Sequence, residues 1–203
     1  GVRVTQPLFV ANRQCQACSL HEACLAPVPA EGPVPARIMI VGEAPGKDED
    51  RLGLPFRGQA GQYLDSLLDA VAVPRPEIFI SNTCKCRPKG NRTPTPAEAS
   101  FCAGQWLELE LNMVRPEIVV SLGVPATHYL SGSTDTMEHL HSRPLTDVVT
   151  PGGYSIPTLL PVFHPAYGLR NTRMMRQIRN GFEILGKMFR DEIVEFPQDQ
   201  YPE

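Results

Sequence analysis

From Arg37 onward the chain alternates short apolar runs with stretches of helical periodicity. Ile38-Met39-Ile40-Val41 is closed by Gly42-Glu43-Ala44-Pro45-Gly46, which predicts a buried strand ending in a glycine-rich turn. Leu64, Leu67, Leu68 and Val71 recur at i, i+3, i+4 and i+7, the apolar face of a helix that begins near Gly58. Glu77 to Ser81 predicts a second strand ending at Asn82. Thr95-Pro96-Ala97-Glu98 combines an N-cap, a first-turn proline and a capping-box glutamate, so a helix should run from there to about Met113. A third strand, Ile118 to Leu122, ends at Gly123. A fourth, Thr158 to Phe163, ends at His164-Pro165. Between them the pattern weakens, and residues 131–153 read as a surface loop. Met175, Ile178, Phe182, Leu185 and Phe189 then predict a closing helix capped by Asn171 or Thr172.

Strands that alternate with helices require crossover connections, so the pattern specifies an α/β fold with a parallel sheet covered on both faces. Ligands of open sheets of this kind sit at the carboxyl ends of the strands. Gly42-Glu43, Asn82, Gly123 and His164 all fall there, which makes that edge the candidate site.

Composition changes this picture in three respects. The 203 residues, 42% hydrophobic and 20% charged, suit one globular domain spanning 1–203. No apolar run approaches the length of a membrane span. The start, Gly1-Val2-Arg3-Val4, has neither the basic lead nor the apolar stretch of a secretory signal, so a cytoplasmic protein is expected, and a monomer. A net charge of −3 gives no bulk attraction to nucleic acid, so such binding must come from local patches. Two are available: Lys85, Arg87, Lys89 and Arg92 in one loop, and Arg170, Arg173, Arg176 and Arg179 in another. The tail from Asp191 to Glu203 is acidic.

Six cysteines in a chain with no secretory signal point to metal binding rather than a disulfide framework. Cys15 and Cys18 have the C-x2-C spacing that lets two thiolates reach one metal or cluster. Cys86 and Cys102, on either side of the predicted helix start, can complete a set of four from a distant segment. Spacing does not separate zinc from iron–sulfur, since both accept four tetrahedral thiolates. Cys24 and Cys84 are left over and fit the role of small buried hydrophobes.

Four segments together resemble one family. They are Cys15-x2-Cys18-x-Leu20-His21; Gly42-Glu43-Ala44-Pro45-Gly46 with Glu49-Asp50 and Pro55-Phe56-x-Gly58; Asn82-x3-Cys86-Arg87-Pro88 through Asn91-Arg92-Thr93-Pro94; and His164-Pro165-Ala166-Tyr167. In this order they resemble the iron–sulfur, or family 4, uracil-DNA glycosylases. The resemblance implies a four-stranded parallel sheet flanked by helices, with residues 1–35 contributing to a 4Fe–4S cluster held by Cys15, Cys18, Cys86 and Cys102. It implies a hydrolase that cuts the N-glycosidic bond of uracil in single- or double-stranded DNA, initiating base-excision repair.

Base excision explains the residues. A base inside a duplex is out of reach, so it must be extruded and read by stacking and by contacts to its pairing edge. Phe56 would stack on it, and the Asn82 amide can pair with N3–H and O4 of uracil while mismatching cytosine. Gly42, Glu43 and Ala44 would line the same pocket. His164 would donate a hydrogen bond to O2 as negative charge grows there. Glu43 and Glu49 are jointly assigned to hold water or to stabilise the cationic sugar, because Ala44 stands where many other members of the superfamily carry an aspartate. Arg87, Asn91, Arg92, Leu169 and Arg170 would contact DNA, with Gly168-Leu169-Arg170 filling the hole left by the base; Gly168 stands where family members often have a bulkier residue.

Other readings are weaker. A relative that traps DNA covalently would need a histidine in the Lys85–Thr95 loop, which has none. A non-catalytic iron–sulfur DNA-binding relative would not be expected to keep Phe56, Asn82 and His164 together. A zinc-bound hydrolase of another substrate, or a second metal site at His139 and His141, has less support still.

Overall fold

A computed structural model of the chain describes residues 6–194; residues 1–5 and 195–203, with the Gly1–Val4 start and most of the acidic tail, lie outside the described residues. Its centre is a five-stranded sheet: β1 (Ile38–Gly42), β2 (Phe79–Asn82), β3 (Ile118–Leu122), β4 (Leu145–Val149) and β5 (Ser155–Val162), in the spatial order β2-β1-β3-β5-β4. The first three and β5 are parallel. β1 is buried along its whole length, so its side chains alternate between two apolar layers. Ile38 and Ile40 join Leu64, Leu68, Ile178, Phe182 and Leu185 on one face. Met39 and Val41 join Phe79, Leu107, Leu111 and Leu130 on the other.

The helices that supply these layers start and stop where local chemistry directs. α1 (Gln6–Arg13) precedes the sheet, and α2 (Lys47–Leu52) and α3 (Gln59–Ala70) follow β1, with Gly58 as N-cap of α3. Before α4 (Pro96–Cys102), Thr95 accepts the Glu98 N–H at 3.2 Å, as the capping motif requires. The helix expected to reach Met113 is interrupted directly after Cys102 by a π-helical turn, Ala103–Leu107, before continuing as α5 (Glu108–Val114). α6 (Val124–Ser131), α7 (Met137–Leu140), α8 (Pro165–Arg170) and α9 (Met175–Phe189) complete the layers. Asn171 caps the short 3-10 turn that leads into α9.

Two expectations are corrected. The sheet has five strands, because β4 adds an antiparallel edge to β5, which itself starts three residues earlier than the apolar run suggested. Residues 131–153 are therefore not simply a loop: they form the end of α6, α7 and β4. The signal was weak because β4 is only half-covered. Its return turn is held from inside the protein, where the buried Glu108 carboxylate accepts bonds from Thr150 Oγ1 (2.8 Å), Gly152 N–H (3.0 Å) and Tyr129 O–H (2.7 Å).

Candidate functional site

The chain leaves β1 toward β2 on one side and β3 on the other, and this reversal opens a crevice at the strand carboxyl ends. Gly42 ends β1 at the centre of that crevice. A Cβ there would lie 2.5 Å from the ring of Phe56 and 2.6 Å from Asn82 Oδ1, so only glycine lets the ring and the amide approach each other. Asn82, 4% exposed, ends β2 beside it. The strand pairing continues past Asn82: Thr83 N–H donates to Gly42 O (2.9 Å) and Cys84 N–H to Glu43 O (2.9 Å).

Phe56 takes a left-handed backbone with φ of 51°, unfavourable for a bulky residue and sustained only where surroundings enforce it. Arg75 is one enforcer, donating to the carbonyls of Pro55 and Phe56 at 3.1 Å each while pairing with Asp65. Glu49 is the other. Its carboxylate accepts from Arg57 N–H (2.9 Å), Gly58 N–H (2.5 Å) and Gly46 N–H (3.0 Å), so it is engaged by backbone donors on both sides of the loop. The Phe56 ring lies 5.9 Å from that of His164 at an interplanar angle of 20°. These rings, Asn82, Ala44 and the start of α3 at Ala60 and Gly61 enclose one small recess. Arg75, Ala60 and Gly61 carried no motif in the sequence.

His164 follows β5 and caps α8, its Nδ1 accepting the Ala166 N–H at 3.1 Å. That bond requires a bare Nδ1, so the ring proton sits on Nε2. Burial, helped by the positive charge of Arg170, pushes its pKa down to about 4, so the imidazole is neutral at ordinary pH. Glu43 lies across from it, against Gly123, whose φ is 87° and where a Cβ would come 2.6 Å from Glu43 Oε1. Burial raises the Glu43 pKa and the Arg170 charge opposes the rise. Among the described residues no hydrogen-bond donor reaches its carboxylate. Glu43, His164, Tyr167, Arg170 and Asp135 border a second, wider groove of about 460 Å³ that opens beside the recess.

His139 and His141 do not share a site. His139 is exposed and pairs with Asp135, whereas His141 is buried: its Nδ1 accepts the Phe163 N–H (3.1 Å) and its Nε2 lies 2.8 Å from Gln177 O. Burial lowers its pKa, and the neutral ring pins the residue preceding His164. Gly168, in turn, belongs to a helix facing inward, where a Cβ would meet Ile178 at 2.8 Å; Leu169 and Arg170 are the exposed pair at its end. The basic loop is less uniformly basic than it reads. Lys85 is 1% exposed and ion-paired inside the protein, Arg92 is bonded through both terminal nitrogens to Glu98, and Arg87 donates to Asn91 Oδ1 at 2.6 Å.

Cys15, Cys18, Cys86 and Cys102 border one small apolar recess with Leu20 and Trp106, and all six cysteines are free thiols. Among the described residues, no three His, Cys, Asp or Glu side chains converge as they would on a single metal ion. Cys102 is held toward its thiolate, with a pKa near 7, by the Cys84 S–H and the Lys85 N–H, the latter at 3.3 Å. Burial pushes Cys86 and Cys18 up. Trp106 Nε1, buried at the same recess, has no acceptor.

Residues 29–186 match the family model of the Uracil DNA glycosylase superfamily. The chain is 38% identical over 160 residues to the type-4 uracil-DNA glycosylase of Thermotoga maritima, covering 78% of this chain and 80% of that protein. It is 35% identical over 176 residues to the type-4 enzyme of Archaeoglobus fulgidus, covering 86% and 87%. The chain belongs to the type-4 uracil-DNA glycosylase family. A type-5 relative from Thermus thermophilus is 37% identical, but over 46% of this chain only, which sets type 4 apart. In this type-4 chain the matched span holds every strand, the Phe56 loop and His164. No helix of the described residues is long and apolar enough to cross a membrane.

Proposed function

We propose that this chain flips uracil out of DNA and hydrolyses its N-glycosidic bond, leaving an abasic site for base-excision repair. The observation that carries the reading is the convergence of Phe56, Asn82 and a neutral, Nε2-protonated His164 on one recess. Phe56 stacks on the base. The Asn82 amide accepts from N3–H and donates to O4, a pairing that cytosine cannot offer. As the bond between uracil N1 and the sugar breaks, its electron pair moves into the base and charge accumulates on O2. His164 Nε2–H stabilises that charge by hydrogen bonding and keeps its proton, because a donor preorganised in a dry site needs no rearrangement. Water then attacks the cationic sugar carbon, and the proton it loses ends on the departing uracil anion, passing through solvent or Glu43, which gives neutral uracil and the abasic sugar.

Glu43 is the carboxylate placed to hold that water or to face the cationic sugar. Glu49 serves the same chemistry at one remove, since its oxygens are committed to the Phe56 loop. Gly42 and Ala44 complete the base pocket. Arg170 and Leu169 at the end of α8 meet the DNA at the gap left by the base. Arg87, Asn91 and Arg92 contact phosphates, with Arg92 exchanging Glu98 for the nucleic acid. The protein acts as a monomer on single- or double-stranded DNA in the cytoplasm, where thiols stay reduced.

The residues at the sulfur recess fit a 4Fe–4S cluster. Four thiols from residues 1–35 and from the segment 86–102 share one apolar pocket, a backbone N–H already donates to one of them, and the buried Trp106 N–H lacks an acceptor. Cys15, Cys18, Cys86 and Cys102 would hold the cluster, which would tie the N-terminal segment to α4. The deciding experiment is to incubate the protein with a uracil-containing oligonucleotide, cleave abasic sites with alkali and compare a cytosine control. Equal breakage in both strands, or none, refutes the reading.

A further inference from the structure

Lys85 sits between the two sites just described. Its backbone N–H donates to Cys102 Sγ, and its side chain runs back beneath the end of β2. There the ammonium finds three kinds of partner: Ser81 Oγ at 2.6 Å, the Asn82 carbonyl at 3.0 Å and the Glu110 carboxylate at 2.6 Å and 3.0 Å. Ser81 Oγ–H also donates to Glu110 Oε2, at 2.5 Å. Lys85, Glu110 and Ser81 are each no more than 2% exposed. Three N–H donors therefore meet acceptors in a closed network with no water access.

A buried ion pair is a poor source of stability, because desolvating two charges offsets most of their attraction, and apolar residues of the same volume do as well or better. Such a pair is informative about geometry instead. A network with every partner satisfied permits one arrangement of its members. One member here is the backbone of Asn82, at the residue whose side chain enters the base recess.

We propose that Lys85 and Glu110 are positioning residues for uracil recognition: they fix the Asn82 backbone so that its amide meets the base edge, and they link that amide to the cysteine-bearing helix. The inference rests on reading Asn82 as the uracil reader. It assigns Lys85 no contact with DNA, although the sequence counts it in a basic loop.

The test uses the full chain with Lys85→Met/Glu110→Met, which removes both charges at similar volume, and Glu110→Gln, which removes one while keeping a hydrogen-bonding side chain. Affinity for free uracil is measured by calorimetry, affinity for an abasic-site duplex by fluorescence anisotropy, and single-turnover cleavage on uracil and cytosine duplexes. Uracil affinity and uracil cleavage should fall by about tenfold to a hundredfold while abasic-duplex affinity stays within about twofold, since small misplacements of a recognition group have effects of that size. Discrimination against cytosine should narrow in parallel. If the double substitution does not fold, Glu110→Gln must show the same split. Unchanged uracil affinity, or equal losses for uracil and abasic DNA, overturns the proposal. A parent protein that neither binds uracil nor cleaves uracil-containing DNA overturns the functional reading, and this inference with it, before any substitution is made.

Discussion

His164 Nδ1 accepts the Ala166 N–H as a helix cap, which leaves Nε2–H as the donor for the proposed bond to O2, so in that reading one side chain serves structure and chemistry at once. Replacing it with alanine should lower the single-turnover rate by about a hundredfold to a thousandfold, the usual cost of losing an oxyanion donor, while leaving affinity for uracil-containing DNA nearly intact. Equal loss of rate and binding would make it a structural residue. Its depressed pKa also has a sign in stability. Unfolded, the ring titrates near its ordinary value of 6.5; folded, near 4. The contribution of the neutral ring is therefore complete above the higher value and is lost as pH falls through the lower. Urea denaturation followed across that window should show a smaller acid sensitivity for His164→Gln than for the parent. Asn82, Phe56 and His164 were legible in the sequence because each follows a recognisable strand or turn. Lys85, Arg75 and His141 were not. Their roles depend on partners such as Glu110, Asp65 and Gln177, which no local pattern connects to them.

The four parallel strands were readable as elements because burial on both faces leaves uninterrupted apolar runs, and the Thr95–Glu98 cap was readable because its chemistry is local. Removing that cap with Thr95→Ala should lower stability by about 1 kcal/mol, measured by urea denaturation. The edge strand β4 and the π-helical turn after Cys102 escaped notice. The first depends on pairing with β5 and on Glu108, far away in sequence, and the second lies inside a stretch whose residues read as one continuous helix. Strand ends also constrain chemistry. Gly123, closing β3, has a backbone and a neighbour that both exclude a side chain, so Gly123→Ala should displace the Glu43 carboxylate and slow single-turnover cleavage with little change in uracil affinity. A parent-like rate would remove Glu43 from the mechanism.

Across the whole molecule, charge is distributed rather than abundant. With a net charge of −3, affinity for DNA must come from a few arginines, and charge reversal at Arg170 should weaken binding to all sequences and flatten its dependence on salt. Arg92 should contribute less, because Glu98 already neutralises it. If the sulfur recess holds its cluster, the purified protein is brown and bleaches with dithionite, and a colourless protein with stoichiometric zinc refutes that assignment. The recess has a further consequence for how the protein is made. Two of its thiols precede the sheet and the last follows β1 and β2, so on the ribosome Cys15 and Cys18 emerge long before Cys102 does. Assembly of that corner must wait until translation has passed the fourth helix. If the recess takes the proposed iron–sulfur cluster, the early segment should be clipped by proteases in cells starved of iron while the sheet survives, leaving a truncated fragment that mass spectrometry would detect.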